Sequence, residues 1–333
     1  MTCAGGPCAL PTWSTNTRDV PLTHTARAIG FLGPAGTFTE EALWKTIGGA
    51  PPLDGAGARE DGGGGSSADE SGGRAVIPYP SIADTIRAVA ERAVECAIVP
   101  IENAIEGTVV VTADILTHEV DNLQVVREVR LPITHRLIAK PGTTLDQLTK
   151  VVSIPVATAQ CRLWLNEHLP GIEVEAANST SAAVERAVKS DEPWAAIGSA
   201  LAAKEHGGAV LRDSIEDHDD NETRFVFLSQ LRERQDLDEP YKTSVVCHIG
   251  KDQPGALLLI LQEFAYRYIN LTKIESRPSK RGLGDYIFLV DMEGRIDDPS
   301  ISDALSCLNC KLPRLTVLGS YPVGRPAPPS DAF

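Results

Sequence analysis

Short runs of apolar residues, each closed by a turn and followed by a helical pattern, constrain this chain most. Ala28-Ile29-Gly30-Phe31-Leu32 stops at Gly33-Pro34 and gives way to a helix start near Phe38, where Thr37 and Glu40 have capping-box spacing. Cys96–Ile101, Val151–Ile154 and Ala195–Gly198 repeat the pattern. An uninterrupted apolar run of this length fits a strand buried on both faces. Strands alternating with helices build parallel sheets covered on both sides. The span from Ala28 to Leu228 is long for one such sheet, so two small α/β lobes with a cleft between them are expected.

The rhythm changes after a charged linker, residues 230–241. Strand patterns at Thr243–Ile249, Ile269–Glu275, Tyr286–Val290 and Leu315–Tyr321 enclose helical patterns at Gly255–Tyr266 and Ser300–Leu308. That order is βαββαβ, the ferredoxin-like arrangement. Three segments lack the apolar residues to order themselves: a tail over 1–27, a Gly-rich insertion over 48–74, and a Pro-rich end over 323–333. They are expected to be disordered or mobile.

Composition excludes some functions. A net charge of -14 argues against a nucleic-acid partner, which needs a basic face. No stretch approaches the roughly 20 apolar residues of a membrane span. Seven cysteines at irregular spacing suit a reducing, cytoplasmic compartment. Cys307 and Cys310 form a lone CxxC without a second pair, so no metal site is expected.

Chemistry is expected where buried strands end in polar residues, since open α/β sheets bind ligands there. One such end carries Glu102 and Asn103; another carries Ser153. The acid-rich stretch Asp219–Glu222 runs into Thr223, Arg224 and Phe225 as a strand begins. Arg224 offers a fixed cation able to grip a carboxylate through two parallel bonds, and Thr223 a donor beside it. Backbone amides at Ala35, Gly36 and Thr37, between a strand and a helix start, can receive an anion. His135 reads as structural.

Taken in order, these markers resemble the prephenate dehydratases that carry a C-terminal ACT domain. They are Gly33–Thr39, Pro100–Val109, Ser153-Ile154-Pro155 with Gln160-Cys161, Thr223-Arg224-Phe225, Gly255-Ala256-Leu257 and Glu275-Ser276-Arg277-Pro278. The resemblance covers Ala28 to Pro322. It implies a two-lobed, periplasmic-binding-protein-like (type II) catalytic domain over 28–229, with lobes at about 28–107 plus 197–229 and at about 108–196. A ferredoxin-like ACT domain would occupy 242–322. It implies decarboxylating dehydration of prephenate to phenylpyruvate, without metal or organic cofactor. Feedback inhibition by L-phenylalanine and assembly as dimer or tetramer are also implied.

By the same resemblance Thr223 is the essential hydroxyl, and Glu102, from its position, the candidate acid behind it. Arg224, Phe225, Asn103, Thr37, Ala35, Gly36, Ser153, Gln160 and Asn178 are candidate substrate contacts. Gly255, Ala256, Leu257, Glu275, Ser276, Arg277 and Pro278 are candidate phenylalanine contacts. Ala104 departs from the serine of many relatives, and Asn178 from the glutamate of some. Two other readings stand beside this one: an arogenate dehydratase, and a non-catalytic binding protein with an amino-acid sensor.

Overall fold

The computed structural model describes residues 17–18, 26–48, 74–230, 232–233, 239–250, 254–280, 282 and 284–324. The Gly-rich insertion and the Pro-rich end lie almost wholly outside these residues, as does most of the N-terminal tail. Within that tail, β1 (Thr17–Arg18) is ordered in parallel with a two-residue strand of the linker, Arg232–Glu233.

The chain continues through β2 (Ala28–Leu32), α1 (Phe38–Ile47), β3 (Ala75–Tyr79), α2 (Ile82–Ala90), β4 (Cys96–Asn103) and β5 (Gly107–Thr108). Then come α3 (Val110–His118), β6 (Gln124–Pro132), β7 (Arg136–Ala139), β8 (Lys150–Ser153), α4 (Pro155–Gln160) and α5 (Arg162–His168). Next are β9 (Glu173–Ala176), α6 (Thr180–Lys189), β10 (Trp194–Gly198), α7 (Ala200–Glu205), β11 (Ala209–Arg212) and β12 (Glu222–Ser229). After β13 (Arg232–Glu233) follow β14 (Tyr241–His248), α8 (Ala256–Ala265), β15 (Leu271–Pro278), β16 (Tyr286–Glu293), α9 (Pro299–Lys311) and β17 (Arg314–Pro322).

The fold is mixed α/β. One sheet has the order β3-β2-β4-β12-β6, with β5 attached to β4; β2 runs parallel to β3 and to β4. A second sheet has the order β11-β7-β10-β8-β9. Side-chain alternation along its strands fills two cores. Leu137, Val151 and Ile197 face one way, with Cys161 and Leu165. Ile138, Val152 and Ala196 face the other, with Val184 and Ala202. Helices therefore cover both faces, as expected. Strictly parallel pairing is not what is found: β7 is antiparallel to both β10 and β11.

The expected lobe limits also need correction. Strand β6 belongs to the first sheet rather than the second, and β11, with the last two residues of β10, belongs to the second rather than the first. Apolar runs say that a strand is buried, but not which strand lies beside it.

The described residues form two compact units, one within 26–113 and 129–226, the other within 17–18, 114–128 and 227–324. The second holds the antiparallel sheet β15-β16-β14-β17 with α8 and α9. Val245, Val290, Ile260, Phe264, Leu305 and Leu308 form its core, so the sheet buries one face beneath both helices. This is the βαββαβ order read from the sequence.

Candidate active site

The expected hydroxyl, Thr223, sits on β12 beside Asn103 at the end of β4. Adjacent strand residues leave opposite faces of a sheet. Thr223 and Arg224 therefore part company, as do Asn103 and Glu102 on β4. The structure matches them in pairs. Asn103 Nδ2 donates to Thr223 Oγ1 at 2.9 Å, and Arg224 Nη1 donates to Glu102 Oε2 at 2.9 Å. Phe225 follows Thr223 onto a buried face and is a core residue.

The Thr223 side of the site is a hydrogen-bond chain whose polarity can be worked out. Backbone N–H groups are fixed donors, and those of Ile105 and Glu106 both point at Asn103 Oδ1, at 3.0 Å each. The other end of the Asn103 amide must then be its NH2, which reaches Asn221 Oδ1 at 2.8 Å as well as Thr223. Asn221 consequently turns its own NH2 to Gln160 Oε1, at 2.9 Å. Gln160 directs its NH2 to Glu106 Oε1, at 3.1 Å, where a carboxylate accepts it.

His135 Nε2 lies 3.0 Å from the same Gln160 oxygen and must be the protonated nitrogen. Burial lowers the pKa of His135, which favours the neutral ring. Its Nδ1 is then a buried acceptor without a partner among the described residues. Glu216 holds the His135 backbone through its N–H, and burial raises the pKa of that carboxyl.

At the near end of the chain Thr223 Oγ1 accepts from Asn103. Its own proton is left to donate elsewhere. The site can thus present one oriented hydroxyl, only 9% exposed, to a leaving group.

Other expected contacts are occupied differently. The Gly36 N–H is taken by Glu40 Oε2 at 2.6 Å. Thr37 Oγ1 caps α1 by accepting from Glu40 N and donates to the Leu32 carbonyl. Burial raises the Glu40 pKa against these bonds. The carbonyls of this turn point to the second sheet's helices: Ser181 Oγ donates to Ala35 O, and Ser199 Oγ to Gly36 O at 2.9 Å. Residues 35–37 are thus a joint between the lobes, and of the three amides expected to receive an anion that of Gly36 is already taken by Glu40. Ser153 is fully buried and spends its hydroxyl on the Ile197 carbonyl at 2.9 Å. Asn178 is exposed, just ahead of the helix cap Ser179. Glu102, the expected acid, is an acceptor for Arg224.

Comparison with known proteins decides the family. The sequence matches the family described as prephenate dehydratase over residues 29–233. It is 37% identical over 297 residues to a prephenate dehydratase of Mycobacterium tuberculosis, covering 89% of this chain and 87% of that one. This chain belongs to the prephenate dehydratase family. A prephenate dehydratase from Arthrobacter aurescens, solved in complex with L-Phe, is 35% identical with a TM-score of 0.75; the match covers 89% of this chain and 90% of that one. A protein described as a novel type of quorum-quenching acylase is 28% identical with a TM-score of 0.72, over 90% and 98% of the two chains.

Within this family member, sequence reasoning misses the centre of the chain of amides. It gives Asn221, Glu106 and Glu216 no role. A usable signal for Asn221 exists: it stands two residues before Thr223, the spacing that puts two strand residues on one face. His135 and Gln160 meet only through the tertiary fold.

Proposed function

We propose that this prephenate dehydratase carries out the elimination in the cleft between its two sheet lobes, on Thr223. In prephenate the bond from the ring to its carboxylate breaks, releasing CO2. The electron pair enters the ring, and the ring C–O bond breaks. The departing hydroxide takes up a proton and leaves as water, giving phenylpyruvate. Aromatisation supplies the driving force, so the protein's task is to orient substrate and assist the leaving hydroxide. The observation that carries this reading is the polarity of the Asn103–Thr223 pair, which leaves the hydroxyl proton to donate elsewhere. Arg224, held by Glu102 on the other face of the sheet at 2.9 Å, takes no part in this reading.

Amide hydrolysis, suggested by the acylase relative, is less well served. A hydroxyl nucleophile needs a neighbouring base, and the partner of Thr223 is an amide donor. The two-lobed, type II periplasmic-binding-protein-like description suits the two sheets, and the βαββαβ unit is read as a ferredoxin-like ACT domain. Residues Gly255, Ala256 and Leu257 line an open pocket of about 420 Å³ with Tyr286 and Phe288, a size suited to one amino acid. Ser276 and Pro278 pair across the sheet with Phe288 and Tyr286 and share their face. Glu275 and Arg277 take the opposite face, where Arg277 Nη2 binds Asp114 at 2.7 Å. Of the seven residues expected to touch phenylalanine, five therefore remain candidates at this pocket.

The test offers purified protein prephenate and arogenate separately, with and without L-phenylalanine. Phenylpyruvate from prephenate, suppressed by phenylalanine, is the expected result. Turnover of arogenate alone would replace this reading with an arogenate dehydratase.

A further inference from the structure

We infer that Asn221 is a positioning residue for Thr223, and that it does so by joining the amide of one lobe to that of the other. The inference rests on the proposed reaction. Asn221 is 2% exposed, and its side chain is engaged at both ends of the Asn103–Gln160 junction: Oδ1 accepts from Asn103 and Nδ2 donates to Gln160. Asn103 ends β4 and Asn221 immediately precedes β12, both of the first sheet, whereas Gln160 ends α4 on the second. The backbone carbonyl of Asn221 is held as well, by Ile133 N at 2.8 Å. Asn221 is thus a fixed bridge with one acceptor end and one donor end.

Both ends matter. The acceptor end takes one hydrogen of the Asn103 NH2 and so aims the other at Thr223. The donor end fixes which way Gln160 faces, and with it the bonds to His135 and Glu106. A side chain with two acceptors at position 221 would keep Asn103 but confront Gln160 Oε1. Turning Gln160 over would relieve that clash only by setting its oxygen against Glu106. A protonated carboxylic acid, by contrast, has one acceptor and one donor and copies the amide.

This gives Asn221→Asp a distinctive signature. The charged form should break the chain; the protonated form should restore it. The ionisable groups around position 221 are His135 and Glu106 through Gln160, Glu216 behind His135, Glu222 with its partner Arg130, and the neighbouring Asp219 and Asp220. All are present in the wild type too, so the ratio of variant to wild-type activity isolates the carboxyl introduced at position 221.

The experiment measures kcat and KM for prephenate in wild type, N221A and N221D across pH, with a melting curve for each. We expect N221A to lose about 10²-fold in kcat, the scale of a misplaced catalytic group, with KM moved far less. The N221D to wild-type ratio should rise as pH falls, while that of N221A stays flat. A flat N221D ratio, or wild-type kcat in N221A, would overturn the inference. If N221D does not fold, Gln160→Glu reads the same polarity: its charged form opposes Glu106, so its ratio should also rise as pH falls, and a flat one would count against Asn221. Wild-type protein inert toward prephenate would instead remove the proposed reaction.

Discussion

At the scale of single residues, the site is organised by which atoms donate and which accept. Two backbone N–H groups at Ile105 and Glu106 set Asn103, and everything from Thr223 to His135 follows from that. Thr223 and Glu102, both read from the sequence as catalytic, now separate. Thr223 accepts from Asn103 and keeps its own proton to donate. Glu102 is engaged by Arg224 on the other face. Removing the Thr223 hydroxyl should cost about 10²–10³-fold in kcat, as loss of one aligned donor does, and Thr223→Ser should recover much of it. Glu102→Gln keeps an oxygen for Arg224, so its kcat should fall by less than about 10-fold. Steady-state rates on the three variants check this. A drop of about 10²-fold or more in Glu102→Gln, the weight of a general acid, would return Glu102 to that role.

At the scale of elements, the turn between β2 and α1 acts as a joint. Gly36 has φ 81°, and a Cβ there would stand 2.8 Å from Ser181 Oγ and 3.1 Å from Ala202 Cα. Both the left-handed backbone and the close approach demand glycine. Gly36→Ala should lower stability by about 1–3 kcal/mol, read from urea unfolding, while Ser199→Ala, which loses both the bond to the Gly36 carbonyl and the cap bond from the Ala202 N–H, should cost about 1–2 kcal/mol. Unchanged stability in Gly36→Ala would mean that the joint tolerates a side chain there. The sequence marked this turn correctly as a strand-to-helix connection with a cap at Thr37. It did not show that Glu40 fills the Gly36 amide, because a Glu one turn into a helix can reach back to more than one N–H.

At the scale of the whole molecule, one chain carries a unit with the amide chain around Thr223 and a unit with the pocket at Gly255–Leu257. The proposed phenylalanine response places ligand in that pocket. Leu257→Trp fills it and should leave prephenate turnover intact while abolishing inhibition; rates measured against phenylalanine concentration decide. Undiminished inhibition would move the phenylalanine site elsewhere. Strand alternation also explains why the Glu275–Pro278 motif cannot act as one contact. Ser276 and Pro278 face the pocket side, and Arg277 is turned to Asp114, with Lys280 on the same carboxylate at 2.9 Å.

By itself the sequence determined most of the elements, though not the helix Val110–His118 or the strand Ala209–Arg212, the change of rhythm after the linker, and the strand ends that carry Asn103 and Thr223. Those properties are local: apolar runs, caps and turn residues act over a few positions. Only the tertiary structure decided that β6 joins the first sheet, that β7 runs antiparallel, and that Glu102 meets Arg224 rather than standing free as an acid. It alone brought Gln160 and His135 to Asn221, across separations of 61 and 25 residues for the two bonds to Gln160. Pairing and hydrogen-bond polarity depend on which distant groups meet, and a buried polar atom must take whatever partner the fold brings to it.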